Sequence, residues 1–213
     1  MNRDAEQDLI LKAAAGCRDS AAQLIKAHQQ SLYGYMLRLT GRPEVAEDVV
    51  QEAFIRAITH LGRFDPRYRF STWLFTIAKR VYLNICSKSR PVYDTDAVEA
   101  ATVTIRRPAA PIENTDSQCF MRDGLQQALM TLPFVQREVL ILHHQHEWPV
   151  WLVAEHLQIP EGTVKSHLHR ARIALRQLLS AESKYAPLLS ELNNGVVESV
   201  VDSVARGPSG VVA

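Results

Sequence analysis

The chain has 213 residues, of which 46% are apolar and 22% charged, and its formal net charge is +1. This composition is typical of a globular protein with one or two hydrophobic cores and excludes an intrinsically disordered chain. No apolar run approaches the ~20 residues of a membrane span, and a signal-peptide pattern is absent. A cytoplasmic location without membrane insertion is therefore expected, and the isolated Cys17, Cys86 and Cys119 predict reduced, buried thiols.

Helical apolar spacing runs through residues 1–90, which we predict to form one helical domain. Capping residues, glycines and prolines predict the ends of three helices. The first runs from Asp19 or Ser20 to Gly41, the second from Pro43 to Gly62, and the third from Ser71 to a stop before Pro91. The predicted buried stripes are Leu24, Ile25, Leu32, Tyr35 and Leu39; Ala46, Val49, Val50, Ala53, Ala57 and Leu61; and Trp73, Leu74, Ile77, Val81 and Ile85.

Charge is divided unevenly within this domain. Residues 43–61 carry four carboxylates against one arginine, whereas residues 62–90 carry seven basic side chains against one aspartate. Aromatic residues lie among the basic ones between 63 and 70, a combination that favours single-stranded nucleic acid over a merely solvated surface. An acidic and a basic surface side by side indicate two different partners.

Residues 91–118 lose periodicity and contain three prolines, so they predict a flexible linker. Helical patterning resumes near Gln118, and residues 119–181 predict a second small helical domain. Residues 182–213 form a valine-rich C-terminal extension, for which partial order is expected. The predicted fold class is therefore all-α, with two small helical domains joined by a flexible linker.

A helix-turn-helix is the strongest motif of the chain. Residues 151–158 have helical apolar spacing, residues 159–162 interrupt the helix, and Thr163 is the predicted N-cap of the next one. That second helix has an apolar stripe at Val164, Leu168, Ala171, Leu175 and Leu178. Its other face is basic and rich in hydrogen-bond donors, as expected of a helix that enters the DNA major groove.

Two segments together resemble the bacterial sigma factors of the extracytoplasmic-function group. Residues 46–57 and 70–80 are similar to sigma domain 2. Leu132-Pro133, residues 136–140, 162–166 and 168–172 are similar to sigma domain 4. The resemblance covers roughly residues 5–180 and implies a promoter-specificity subunit with no catalysis of its own.

The resemblance also implies partners and site residues. Core RNA polymerase would bind at Asp48, Gln51, Glu52 and Phe54. The −10 promoter element would be recognised and opened by Arg63, Phe64, Arg67, Tyr68, Arg69 and Phe70, with Lys79, Arg80, Asn84 and Lys88. The −35 element would be read by Thr163, Lys165, Ser166, His167, His169, Arg170 and Arg172. An anti-sigma factor is the further implied partner.

Position 167 departs from the family pattern, in which arginine is common. A neutral imidazole at His167 lacks the bidentate fork of an arginine, so a weaker phosphate or guanine contact is expected there.

Other function classes are less consistent with the sequence. The histidines at 143, 144, 146 and 156 are poorly spaced for zinc, and no Walker loop, dinucleotide motif or nucleophile elbow occurs, so no metal, cofactor or enzymatic activity is predicted. The main alternative is a stand-alone helix-turn-helix transcriptional regulator, which would bind duplex operator DNA without polymerase. A decoy that occupies polymerase without opening promoters is disfavoured, since it has no use for the basic, aromatic segment 63–70.

Overall fold

The computed structural model describes residues 2–88 and 117–181, with side chains described for 2–88 and 123–178. The chain divides into two compact units, unit 1 (Met1–Asp94) and unit 2 (Thr95–Ala213). All regular structure in the described ranges is helical, which confirms the predicted all-α class. The predicted linker, apart from its last two residues, and the C-terminal extension lie outside the described residues.

Unit 1 contains four α-helices: α1 (Arg3–Ala14), α2 (Arg18–Thr40), α3 (Pro43–Thr59) and α4 (Phe70–Lys88). A 3-10 turn, Leu61–Arg63, follows α3. The core lies between α2, α3 and α4, where the rings of Tyr35 and Phe75 stack 4.8 Å apart. Both rings are almost completely buried, so α4 is firmly attached to α2 and places the preceding loop at one edge of the unit.

Unit 2 contains α5 (Ser117–Thr131), α6 (Phe134–Leu140), α7 (Val150–Leu157) and α8 (Glu161–Ala181). A π-helical turn, Ile141–Gln145, continues α6. Residues from α5, α6 and α8 form the core cluster: Leu125, Ala128, Leu129, Leu132, Leu140, Ala171 and Leu175. The apolar side of α8 is thereby held against the unit, and the opposite side of the helix remains exposed.

Two buried charged residues of α6 connect the helices of unit 2. Arg137 donates to the carbonyl oxygens of Met130 and Leu132, at 3.3 and 3.0 Å, and so satisfies the last turn of α5. Glu138 is fully buried, with its Oε1 3.5 Å from Nε2 of His156 on α7. These polar contacts fix α5 and α7 relative to α6, because a buried charge without a partner would be costly.

Several predicted helix boundaries are confirmed. Gly41 ends α2 in the left-handed conformation with φ of 67°, and Pro43 occupies the first turn of α3. The first helix of the helix-turn-helix, α7, matches its prediction within one residue, and Gln158 closes it in a left-handed conformation with φ of 58°. A residue other than glycine is strained in this conformation, but the Gln158 side chain donates to the Glu155 carbonyl at 2.8 Å.

Other predicted boundaries are wrong. Thr163 is not an N-cap, because α8 begins at Glu161 and the Pro160 carbonyl accepts from the amides of Thr163 and Val164. Ser71 lies inside α4, which begins at Phe70, and the Arg69 carbonyl accepts from the amides of Thr72 and Trp73. α2 begins before Asp19 and Ser20, with Cys17 at its N-cap position, and α3 ends at Thr59, so that Gly62 falls in the 3-10 turn.

The predicted stripes are largely buried, with exceptions near helix ends. Ile85 near the end of α4 is 37% exposed and Leu178 near the end of α8 is 38% exposed. Cys17 is exposed and Cys86 half-buried, so the expectation of buried thiols is wrong for Cys17. Among the described helices, none combines the length and apolar character needed to cross a bilayer.

Candidate functional site

An acidic face of α3 adjoins an apolar groove between α2 and α3. Asp48 and Gln51 are exposed, and Glu52 is half-exposed and paired with Arg56 at 2.6 Å. The groove has a volume of about 580 Å³ and is lined by Ile25, Gln29, Val50, Gln51, Phe54, Ile55, Ile58 and Thr59.

Two of the predicted polymerase-binding residues, Gln51 and Phe54, therefore line one groove, with the exposed Asp48 a turn before them. Ile55 also lines this groove and is 62% exposed, which is unusual for an isoleucine on an otherwise well-packed helix. Sequence reasoning missed Ile55, although its position seven residues after Asp48 places both on one helical face. The surface suits a partner helix that carries both apolar and basic side chains.

The loop of residues 63–70 has a compact turn at its centre. The Asp65 carboxylate accepts from the Arg67 amide at 3.0 Å and from the Arg67 guanidinium at distances down to 2.6 Å. The Tyr68 amide donates to the Asp65 carbonyl at 3.1 Å. The Arg67 guanidinium lowers the pKa of Asp65 below its ordinary value, since it donates to the charged carboxylate.

All three arginines of the loop are exposed, but only Arg67 takes part in this turn. Arg63 and Arg69 lie on either side of it, and Tyr68 is 47% exposed. A cationic, partly aromatic loop edge of this kind can stack unpaired bases and contact phosphates.

An aromatic cluster supports the loop from beneath. Phe64 packs against Phe70 at 5.8 Å and against Trp73 at 5.4 Å between ring centroids. Phe70 is fully buried and Phe64 half-buried. Phe70 is therefore a core residue in this structure, which corrects its predicted place among the DNA contacts.

The outer face of α4 continues the basic surface. Arg80, Asn84 and Lys88 are all exposed and recur every four residues, so they lie along one stripe of the helix. Lys79 is half-buried beside that stripe. The stripe begins within α4 and runs toward its C-terminal end.

In unit 2, most of the predicted −35 residues lie on the exposed side of α8. Lys165, Ser166, His169 and Arg170 are exposed, and Thr163 is half-buried. The Ser166 hydroxyl donates to the Gly162 carbonyl at 2.9 Å, which leaves its oxygen as an acceptor. The donors and acceptors of α8 thus form a surface of the kind that reads base edges in a major groove.

Of the remaining two predicted residues, His167 is half-buried, whereas Arg172 is exposed and contacts a side chain of the π-helical turn. Burial, and then the nearby Arg170 cation, lower the pKa of His167, so its ring is neutral at physiological pH. The Arg172 guanidinium lies against Nε2 of His144 in the π-helical turn, at 3.0 Å from Nη2 and 3.3 Å from Nε. Sequence reasoning missed His144, because nothing in local spacing connects it to a residue 28 positions away.

Burial lowers the pKa of His144 to about 4, with the adjacent Arg172 cation as the next cause. The imidazole is therefore neutral and can accept from the guanidinium. Within the described ranges, no group of histidine, cysteine, aspartate or glutamate side chains has an arrangement that could hold a metal ion.

Comparison with known proteins agrees with this two-unit arrangement. Residues 24–91 match the Sigma-70 region 2 family model and residues 122–175 match the Sigma-70 region 4 model. The ECF RNA polymerase sigma factor SigW of Bacillus subtilis is 32% identical over 176 residues, which cover 80% of this chain and 94% of SigW.

Solved structures show the same fold. The structure of CnrH in complex with the cytosolic domain of CnrY has a TM-score of 0.63 at 23% identity and covers 84% of this chain and 99% of CnrH. The sigma factor RpoE in complex with the anti-sigma factor NepR from Bartonella quintana has a TM-score of 0.56 at 26% identity. The match covers 76% of this chain and 97% of that chain. The chain belongs to the extracytoplasmic-function group of RNA polymerase sigma factors.

Proposed function

We propose that this chain is an alternative sigma factor that binds core RNA polymerase and directs it to promoters with −10 and −35 elements. The observation that carries this is the presence, within unit 1, of an acidic, groove-bearing helix beside a basic, aromatic loop, in a chain that also has a helix-turn-helix. A stand-alone regulator would need only the helix-turn-helix. The chain is proposed to act in the cytoplasm, without catalysis of its own.

The predicted domain of residues 1–90, which lies within unit 1, is proposed to bind polymerase and the −10 element. Polymerase would bind along α3, with Asp48 and Glu52 supplying charge and the groove at Gln51 and Phe54 receiving apolar side chains. On the basic side, unpaired bases would stack at Tyr68 and Phe64, and phosphates would contact Arg63, Arg69 and the α4 stripe.

The predicted domain of residues 119–181, which lies within unit 2, is proposed to read the −35 element through α8. Lys165, His169 and Arg170 are exposed and free of the core, and they supply donors to base edges and phosphates. Arg172 is proposed to contribute less directly because its guanidinium contacts His144, and His167 because its ring is half-buried.

An anti-sigma factor is a proposed further partner. The solved relative RpoE was determined in complex with one, the anti-sigma factor NepR. Such a partner would cover the apolar groove beside Ile55 and would thereby compete with polymerase for α3.

In vitro transcription tests the proposal. Core RNA polymerase is given a pool of genomic fragments with and without the protein, and the new start sites are sequenced. Transcripts that share two upstream elements are expected only when both protein and polymerase are present. A variant with Arg69→Ala and Lys165→Ala, both at exposed side chains, serves as the control and should lose these transcripts. No new initiation, together with specific duplex binding by the protein alone, would instead establish a stand-alone regulator.

A further inference from the structure

We propose that α1 holds the 63–70 loop in the conformation that captures promoter bases, with Arg3 and Gln7 as its positioning residues. The inference rests on the proposed role of that loop at the −10 element. α1 precedes the segment that matches Sigma-70 region 2, which begins at residue 24.

Arg3 and Gln7 form hydrogen bonds with the backbone of the loop at its central turn. The Arg3 guanidinium Nη2 donates to the carbonyl oxygens of Pro66 and Arg67, at 3.3 and 3.1 Å. The Gln7 side-chain amide donates to the Pro66 carbonyl at 3.4 Å. Two successive carbonyls are thus bound by side chains one helical turn apart, so the loop is attached to a helix more than fifty residues away in sequence.

These hydrogen bonds reach the loop at the turn that Asp65 and Arg67 form. Arg67 is bonded to Asp65 by its side chain and to Arg3 by its carbonyl, so both contacts act on the same turn. Tyr68 and Arg69 follow directly and are exposed. Their presentation to DNA is therefore set by the turn that α1 holds.

A second contact of α1 supports the base of the loop. Glu6 Oε1 lies 3.0 Å from Nε2 of His28 on α2, and both side chains are largely buried. The His28 ring in turn lies 5.1 Å from the ring of Phe70, the first residue of α4, where the loop ends. α1 thus contacts the centre of the loop directly and its end through His28.

The contacts with α1 preorganise the loop for DNA binding. A loop that is already in its binding conformation loses less conformational entropy when it captures an unstacked base. Each contact at the surface is modest, but the loss of a charged donor that holds two carbonyls is expected to slow promoter opening about tenfold.

The test compares four variants in holoenzyme with core polymerase: Arg3→Ala, Gln7→Ala, Arg3→Lys and Lys12→Ala. Lys12 is exposed on the same helix and pairs with Asp8, so its removal controls for the loss of a positive charge from α1. The readouts are the rate of −10 opening by permanganate reactivity of promoter thymines, the affinity for core polymerase, and the salt dependence of promoter binding. Circular dichroism verifies that each variant is folded.

Arg3→Ala and Gln7→Ala are expected to slow opening, with Arg3→Lys partly restoring the rate and Lys12→Ala close to wild type. Polymerase affinity and the salt slope should be unchanged. A direct phosphate contact by Arg3 would instead lower the salt slope by about 1 and leave Gln7→Ala unaffected, which would overturn the proposal. Opening by Arg3→Ala at the wild-type rate would also overturn it. Failure of the wild-type holoenzyme to open any promoter would count against the proposed function itself.

Discussion

The Arg172 guanidinium lies against the buried His144 imidazole, so a permanent cation and a titratable ring share one site. As an acceptor, His144 must be neutral, and protonation would bring two cations within 3.0 Å. The contact joins α8, the proposed DNA-reading helix, to the π-helical turn. Arg172 is therefore expected to orient α8 within unit 2 and to contribute less to DNA affinity than Arg170.

This site predicts a pH dependence for the stability of unit 2. His144 has its ordinary pKa of 6.5 in the unfolded chain and a pKa of about 4 in the folded chain. As the pH falls, the unfolded state therefore binds the proton first. The contribution of His144 to the free energy of unfolding is present above pH 6.5 and is lost progressively as the pH falls toward 4. From about pH 7 to about pH 5 the contribution lost is roughly 2 kcal/mol.

His144→Gln isolates this contribution, because glutamine can accept from Arg172 without titrating. Amide hydrogen exchange in α8 reports the opening free energy of unit 2 at each pH. Wild type is expected to lose more protection than His144→Gln on acidification. Equal losses in the two proteins would show that other groups carry the dependence.

At the level of single residues, sequence reasoning succeeded where exposure follows from helical spacing. Lys165, His169 and Arg170 fall opposite the apolar stripe of α8, and all three are exposed. It failed where a contact joins distant parts of the chain. Neither the burial of Phe70 nor the Arg172 to His144 contact can be read from local pattern, because each depends on how separate helices pack.

At the level of elements, a substitution in the groove between α2 and α3 is expected to weaken polymerase binding while the fold is retained. Ile55→Glu places a carboxylate in an apolar groove at a side chain that is already 62% exposed, so the fold should be retained. A desolvated charge at the proposed interface is expected to weaken polymerase binding at least about tenfold. Fluorescence anisotropy of labelled protein titrated with core polymerase measures the affinity.

Leu11→Glu on α1 is the matched control, since Leu11 is 71% exposed and lies outside the groove. It should bind polymerase as wild type does. Loss of binding in both variants to the same extent would point to a general charge effect and contradict a specific role for the groove.

Helix boundaries show which local signals are reliable. Gly41 and Pro43 were predicted correctly because backbone conformation restricts both positions directly, by a positive φ and by a fixed ring. The predicted caps at Ser71 and Thr163 were wrong because α4 begins at Phe70 and α8 at Glu161, so both residues lie inside the first helical turn. The carbonyls of Arg69 and Pro160 accept the first intrahelical bonds, and any residue can supply that carbonyl.

For the molecule as a whole, two units with separate cores predict separable effects on the two promoter elements. Arg69→Ala in unit 1 should reduce transcription about tenfold through the −10 element, and Arg170→Ala in unit 2 about tenfold through the −35 element. In the double variant the free-energy changes should add, because the two substitutions lie in separate units and effects at independent sites are additive. Transcription is measured on promoters with each element altered in turn.

Arg18→Ala, at an exposed arginine on α2, controls for the loss of one charge. Each functional variant should become insensitive to alteration of its own element while staying sensitive to the other. If Arg170→Ala remained fully sensitive to the −35 element, α8 would not be the helix that reads it.

A π-helical turn contains one residue more than an α-helix over the same span would need. Deleting one residue from Ile141–Gln145 would let the helix continue as a regular α-helix over the same span, so the residues after the turn would keep their places. His144 lies within the turn, so its contact with Arg172 depends on the extra residue. In an alignment of this family, a single-residue gap at this turn would mark the members whose equivalent of Arg172 lacks this partner.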